Sequence, residues 1–440
     1  MRLRPDQWLL VLLFVAGLVL RLAAVYERPT GVLERAPDEE EYLQIARSVA
    51  RGDGFALNGG PTAYRDMLMP VAAGLLMRVV GESALPMLYL NAVLSLGTAF
   101  LLFQLGRRRF GDWIGTIMAG AWLLYPGAII VSAMFLTETP FVFLWVLALV
   151  LFDRLYDGGY RLPDAVVLGV VCGLVMLGRA VGIVVVVSLI IYIVLIRFET
   201  AFLVRVRAAA IMAAAAFLVV VPWMTRNYLT VGRFALNTNG GINLFIGNNA
   251  RAIGSYGFDE QLESLLPPAG AGEAARDRVA TRLAFSYMRE HPRESLNLWG
   301  RKFAHFWATD VSELTHYFWN PGGSVRERLR VMPLMRLVLV AAPYILIVLC
   351  GVSGFYLVRH FPARGLLLLQ VFLLTFVVFL TYGVPRYHLP LIPAMIIGAG
   401  ALLRQPVWNS APVGRRLFLL FTLGMFGGIW LFEFMTIAGI

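Results

Sequence analysis

The sequence has very little lysine, cysteine or charge. Lys302 is the only lysine among the 38 basic residues, so the other basic positions are all arginine. The two cysteines, Cys172 and Cys350, both lie in apolar runs and give no sign of a disulfide framework or a zinc site. Charged residues make up 15% of the chain and hydrophobic residues 59%, whereas a soluble domain averages about 25% and 45–50%. This composition predicts that a lipid bilayer is the solvent for most of the chain.

Long apolar runs are frequent, and about eleven of them reach or approach the roughly 20 residues that cross a bilayer. They fall approximately at 8–25, 85–105, 112–132, 138–153, 163–179, 181–197, 207–224, 333–357, 365–382, 389–403 and 416–437. The predicted fold class is therefore an all-α polytopic membrane protein with about 11 transmembrane helices. We interpret the first run as an uncleaved anchor, because the later runs also need one.

The orientation follows from arginines in the short loops. Arg4, Arg107, Arg161 and Arg364 are among those that alternation of the spans places on one side, and such loops remain in the cytoplasm. Two long polar segments, about 26–84 and 225–332, then face outward, and both are too long to be simple turns. We expect a single integral-membrane domain over residues 1–440, with two large extracytoplasmic loops that fold.

The densest acidic cluster of this basic chain, whose net charge is +11, follows the first apolar run in RAPDEEEYLQIARSVARGDGF. Apolar residues recur there at helical spacing, at Tyr42, Ile45, Ala46 and Val49. The pattern predicts an amphipathic helix on the outer membrane surface. Asp38 follows Pro37 and precedes Glu41 by three residues, which is typical of a helix N-cap. Asp38 is equally a candidate catalytic base, because an ordinary Asp with a pKa near 3.9 is ionised at neutral pH.

Other charged residues lie at the predicted outer ends of spans or in the outer loops. They are Arg65 in TAYRDML, Glu138 in LTETP, Arg179 in LGRAVG, Arg226 in PWMTRNYLTVG and Arg386 in GVPRYHLP. Considered individually, Glu138 is explained as the start of a helix that Thr137 caps. Each arginine, considered individually, is explained as an interfacial anchor. Guanidinium groups also bind phosphate oxygens in a bidentate way. Four outward arginines around two folded loops therefore favour an anionic ligand outside.

Two further segments give weaker signals. LNTNGGINLFIGNN is dense in Gly and Asn, which predicts a hairpin-like loop. His291, His305 and His316, with Asp310 and Glu313 nearby, do not show a recognised metal-ligand spacing. No cofactor is certain from the sequence, and the requirement for a divalent metal stays open.

Taken in order, these motifs resemble the GT-C glycosyltransferases, above all the bacterial branch related to protein O-mannosyltransferases and to the lipid A aminoarabinose transferase (family 39-like). The matching segments are DEEEY, LTETP, LGRAVG, PWMTRNYLTVGRF with GGINLFIGNN, and RYHLPLIPA, within about residues 8–403. The resemblance implies catalytic roles for Asp38 and its neighbour Glu39, and it matches Glu138 to the acid after the third span. Arg65 takes roughly the place of a basic residue near the donor phosphate, although YRDMLMP lacks the Lys-Pro-Pro-type motif of the aminoarabinose transferase.

The resemblance also implies the reaction: transfer of a sugar from a polyprenyl-phosphate donor to an acceptor on the outer face of the bacterial inner membrane. The residues fit this chemistry. A carboxylate takes the proton of the acceptor hydroxyl, arginines stabilise the leaving phosphate, and attack from the opposite face inverts the anomeric centre. The residues expected to bind the donor phosphate or the substrate are then Arg65, Glu138, Arg179, Arg226 and Arg386. The expected partners are this donor, a lipid, glycan or protein acceptor, and the bilayer, with no nucleic acid.

Three other hypotheses stay open. A transporter or flippase for a lipid-linked or anionic substrate suits the many spans, although the sequence shows no internal repeat of the kind that such proteins often have. A non-catalytic membrane scaffold leaves the grouping of acids and arginines unexplained. A polymerase or ligase that uses a diphosphate-linked donor shares most of the favoured chemistry.

Overall fold

The computed structural model describes residues 4–28, 37–195, 200–312, 325–358, 363–404 and 411–438. Within these ranges the chain is helical apart from loops and one short hairpin, in which Ala56–Leu57 pairs antiparallel with Gly60–Pro61. The described parts confirm the all-α fold class.

The predicted apolar runs all form helices, but not all of these helices are long enough to cross a bilayer. Seven qualify by length and composition: Pro5–Glu27, Leu85–Phe110, Glu138–Asp157, Phe202–Val231, Leu334–Leu357, Pro385–Arg404 and Val413–Ala438. Asp112–Leu123 and Pro126–Ser132 add an eighth if this pair, bent by 54°, is one broken span. Three of the predicted runs form shorter apolar helices, at Leu162–Gly178, Ala180–Leu195 and Arg364–Leu380. At about 1.5 Å per residue these three fall short of the roughly 30 Å hydrocarbon core, so the count of 11 spans is not confirmed.

The two long polar segments contain the remaining helices. The first has Pro37–Arg51, the hairpin and Leu68–Val80. The second has Gly240–Gly247, Glu260–Glu263, Glu273–Glu290, Pro292–Phe306 and Val325–Arg330, with a 3₁₀ turn at Ala269–Ala271. The predicted hairpin-like loop at GGINLFIG is wrong, because this stretch is the helix Gly240–Gly247. Ile242, Phe245 and Ile246 recur at helical spacing and pack in a small core with residues of Glu273–Glu290, which outweighs the turn tendency of the glycines.

The two polar segments fold against each other. The Glu273 carboxylate accepts hydrogen bonds from the Ala63 amide at 2.9 Å and the Thr238 hydroxyl at 2.7 Å. Lys302, the only lysine of the chain, is fully buried and donates to Asn248 Oδ1 and to the Phe379 carbonyl, each at 2.9 Å. These bonds join the first segment to the second, and the second to the end of an apolar helix.

Ion pairs and a hydrogen bond join several of the short arginine-containing loops at one end of the bundle. Arg109 Nη2 lies 2.7 Å from Asp157 Oδ1, and Arg4 Nη2 lies 2.6 Å from Asp112 Oδ2. The Arg404 guanidinium donates to the Phe110 carbonyl at the same end. Glu138–Asp157 starts at the opposite end, beside the two polar segments.

Arginine side chains also cap the carboxyl ends of helices inside the bundle. Arg21 is fully buried in the first apolar helix and donates to the Leu123 carbonyl at 2.9 Å and the Trp122 carbonyl at 3.3 Å. These carbonyls end Asp112–Leu123, directly before the 54° bend. Arg205 donates in the same way to the Ile193 carbonyl at 2.8 Å. A guanidinium satisfies backbone groups that the bilayer cannot satisfy and complements the negative end of the helix dipole, so part of the arginine content has a structural role.

Candidate active site

Asp38 lies between two arginines that come from distant parts of the chain. Its Oδ1 accepts a hydrogen bond from Arg65 Nη2 at 2.7 Å, and its Oδ2 accepts one from Arg386 Nη2. The helix begins at Pro37, so Asp38 belongs to its first turn. The predicted N-cap role of Asp38 is therefore wrong. Its carboxylate oxygens accept hydrogen bonds from the two guanidinium groups and not from helix amides. The side chain is still 33% exposed, which leaves the carboxylate open on one side.

Arg65 is held on several sides. Its Nε donates to Glu41, one turn after Asp38 on the same helix. Its guanidinium also lies 5.3 Å from the ring centroids of both Tyr42 and Tyr64. Two carboxylates and two aromatic rings therefore fix this arginine at the surface of the helix Pro37–Arg51.

Glu138 joins the same network through Arg386. Its Oε1 lies 2.6 Å from Arg179 Nη1 and 3.6 Å from Arg386 Nε, and its side chain is 3% exposed. Thr137 stands at the N-cap position without a capping hydrogen bond; its hydroxyl instead lies 3.4 Å from Arg179 Nη1. Arg386 thus bridges Asp38 and Glu138.

The arginines control the ionisation of Asp38. Burial raises the pKa of this carboxyl, but the positive charges of Arg386 and Arg65 and their hydrogen bonds outweigh burial and hold the pKa well below its usual range. Asp38 is therefore fully ionised at neutral pH, and its affinity for a proton is low while both arginines stay in place.

Two of the predicted site residues lie outside this network. Glu39 is buried, pairs with Arg28 and accepts from the Phe135 amide at 2.6 Å. Its carboxylate points into the protein between the helix Pro37–Arg51 and the segment after Pro126–Ser132. Arg226 donates to the Phe55 carbonyl at 2.8 Å and to the Thr62 carbonyl, and its guanidinium lies 5.0 Å from the Trp223 ring centroid. Arg226 therefore holds the hairpin of the first polar segment.

Asp66 was not predicted as a site residue. It accepts from the Ala180 amide at 3.1 Å and from Asn237 Nδ2 at 2.8 Å. Burial raises the pKa of the Asp66 carboxyl, and the charge of Arg179 opposes this shift. No local pattern marks this residue, because its partners Ala180 and Asn237 lie 114 and 171 residues later in the chain.

The described residues contain no group of three His, Cys, Asp or Glu side chains that could hold a metal ion. His316 and Glu313 lie outside the described residues, whereas His291 and His305 are exposed at the surface. No metal ligands are therefore assigned within the described ranges.

Residues 67–225, less than half of the chain, match the family described as dolichyl-phosphate-mannose-protein mannosyltransferase. No curated protein sequence matches the chain. The fold is similar to that of the oligosaccharyltransferase AglB from Archaeoglobus fulgidus in complex with an inhibitory peptide and a dolichol-phosphate (TM-score 0.51, 12% identity, 95% of this chain and 54% of that chain). It is also similar to an Archaeoglobus fulgidus oligosaccharyltransferase in the apo form (TM-score 0.50, 14% identity, 95% and 54%).

The chain spans about half the length of these oligosaccharyltransferases. The similarity is one of fold. The family match over residues 67–225 supports the resemblance to GT-C glycosyltransferases drawn from the sequence, and the fold is shared with these oligosaccharyltransferases.

Proposed function

We propose that the protein is a membrane glycosyltransferase that moves a sugar from a polyprenyl-phosphate donor to an acceptor hydroxyl, with inversion and with Asp38 as the general base. The observation that carries this proposal is the arrangement at Asp38, where a partly exposed carboxylate lies against two guanidinium groups, Arg65 and Arg386. A base and a phosphate-binding pair next to each other are the groups that this reaction needs.

In the proposed reaction the acceptor oxygen attacks the anomeric carbon of the donor sugar. The bond from that carbon to the phosphate oxygen breaks, and polyprenyl phosphate leaves with the bonding electrons. Asp38 takes the hydroxyl proton, while Arg65 and Arg386 stabilise the charge on the leaving phosphate. Attack from the side opposite the phosphate inverts the anomeric centre.

The charge balance of the network indicates how the donor binds. Arg65, Arg179 and Arg386 are already paired with Asp38, Glu41 and Glu138. A phosphate therefore competes with a carboxylate for the same guanidinium donors. When the donor phosphate accepts the hydrogen bonds that Asp38 receives from Arg65 and Arg386, the arginines no longer offset the effect of burial on the pKa of Asp38. The proton affinity of Asp38 then rises when a base is needed.

The comparisons support the donor class. The family description names dolichyl-phosphate-mannose, and one similar structure contains a dolichol-phosphate. Both lipids present a phosphate at a membrane surface. The arginine-rich loops at the opposite end of the bundle support an outward-facing site in a bacterial inner membrane. A lipid, glycan or protein remains the proposed acceptor.

The test of phosphate binding is Arg386→Gln. We expect its KM for a polyprenyl-phosphate sugar to rise about 10- to 100-fold, because a charge-assisted hydrogen bond contributes about 1.5–3 kcal/mol. The matched control is Arg251→Gln, which removes an exposed arginine paired with Asp259 in the second polar segment. An unchanged KM in Arg386→Gln, or an equal rise in the control, contradicts the proposed phosphate site. A rise confined to diphosphate donors supports the polymerase or ligase instead.

The pH dependence of turnover tests the proposed exchange. The pKa of Asp38 is lowered in the free protein, so this carboxyl is ionised above its ordinary pKa of about 3.9. We expect kcat/KM for the donor, which reports the free enzyme, to show no acid limb between about pH 5 and 8. The profile of kcat, which reports the donor complex, has its acid limb at higher pH. Coincident limbs would show that the arginines stay on Asp38 when the donor binds.

A further inference from the structure

Tyr256 presents an exposed aromatic ring in the second polar segment. The residue is 56% exposed, although its neighbour Tyr382 is only 5% exposed. The two ring centroids are 5.6 Å apart, and the ring planes meet at 67°. The Tyr382 hydroxyl lies 3.1 Å from the Tyr387 hydroxyl. Tyr256 is thus the outer end of a row of three tyrosines whose inner members are fixed by packing and hydrogen bonding.

The loop that carries Tyr256 is held in place by its backbone. The Gly254 carbonyl accepts a hydrogen bond from the Gly383 amide at 3.0 Å. Gly254 has a φ of +90°, and a Cβ there would lie 2.6 Å from Arg301 Cβ. Only glycine allows this conformation and this close approach. The loop is therefore fixed beside Tyr382, and the exposed ring of Tyr256 is preorganised for a ligand.

The row of tyrosines leads to the Asp38 network, because the Tyr387 ring centroid lies 5.8 Å from that of Tyr382 and 5.7 Å from the guanidinium carbon of Arg386. Burial raises the pKa of the Tyr256 hydroxyl, and the negative charge of Asp38 raises it further, whereas Arg65 lowers it. The hydroxyl is therefore protonated at neutral pH and is able to donate a hydrogen bond.

We propose, on the basis of the function proposed above, that Tyr256 is a specificity-determining residue that packs against the sugar ring of the donor. The anomeric carbon of the donor is bonded to a phosphate oxygen, so the sugar lies directly beside the arginines that hold the phosphate. A pyranose has an apolar face of C–H groups and an edge of hydroxyls. An exposed tyrosine offers the matching surfaces, an apolar ring and a polar tip.

The test compares binding of lipids with and without a sugar to the full-length protein in detergent. The probes are undecaprenyl phosphate and its mannose, glucose, galactose and arabinose derivatives, of which the form that the wild type binds most tightly is used. We expect Tyr256→Ala to raise the Kd of this sugar lipid about tenfold, while the Kd of undecaprenyl phosphate changes by less than about twofold. Tyr256→Phe keeps the ring and is expected to retain most of the affinity.

The control is Tyr228→Ala, which removes another exposed tyrosine, 59% accessible, at the end of Phe202–Val231. An equal rise in the Kd of both lipids for Tyr256→Ala overturns the proposal, because it indicates a general structural effect. Unchanged binding of both lipids also overturns it. If the wild type does not distinguish any sugar lipid from undecaprenyl phosphate, the proposed donor itself is wrong, and that result is separate from the role of Tyr256.

Discussion

Asp38→Asn is expected to lower kcat for sugar transfer by about 10²–10⁴-fold, the usual contribution of a general base. The amide has nearly the shape of the carboxylate but does not accept the hydroxyl proton. It also frees Arg65 and Arg386 from a negative partner, so the affinity for the donor is expected to stay the same or to increase. Single-turnover transfer of labelled sugar and separate binding of the donor measure the two effects.

The control for this variant is Glu40→Gln, two residues later on the same helix. Glu40 accepts a hydrogen bond from Gln44 at 3.0 Å, away from the arginines of the site. A loss of donor binding together with turnover in Asp38→Asn indicates that the variant is damaged as a whole. Normal turnover in Asp38→Asn excludes the proposed base.

Glu39→Ala is expected to have the opposite profile, with a large effect on stability. Glu39 and Arg28 form an ion pair in which the two side chains are 1% and 4% exposed. Arg28 also donates to the Ala133 carbonyl at 2.7 Å. Removing one partner of a buried pair leaves an uncompensated charge and costs about 3–5 kcal/mol of unfolding free energy. Reversible unfolding in mixed micelles measures this loss.

A double variant separates the ion pair from general damage. Arg28→Met with Glu39→Leu removes both charges, and we expect it to recover most of the stability, because replacing a buried pair by apolar residues is often neutral or stabilising. Glu40→Ala, at the next position, is the control and should change stability little. If Glu39→Ala unfolds normally but loses turnover, Glu39 takes part in the reaction as first predicted.

The contrast between Asp38 and Glu39 shows what the sequence was able to predict. The stripe of Tyr42, Ile45 and Ala46 predicted the helix and its buried face, and these residues are buried. Glu39 precedes Tyr42 by three residues and Ala46 by seven, so it continues the buried face. The spacing therefore predicts a buried Glu39, whereas the family resemblance implies a catalytic one.

Local sequence patterns do not predict the hydrogen-bond partners of Asp38. Arg386 lies 348 residues later in the chain, and only the packing of the spans brings it to Asp38. The same packing separates Arg226 from the network, although its sequence context resembled that of Arg179. Helix lengths have a similar limit, because an apolar run predicts a helix but not whether that helix crosses the bilayer or ends inside the bundle.

The measurement that tests the central claim most directly is a single turnover in proteoliposomes with a donor labelled in both the sugar and the phosphate, supplied with a total lipid and glycan extract. The account predicts that the wild type releases labelled polyprenyl monophosphate in equal amount to the labelled sugar product, with the anomeric configuration inverted. It predicts that both products form about 10²–10⁴-fold more slowly with Asp38→Asn. Movement of the intact donor across the membrane without cleavage would contradict the account and identify a transporter.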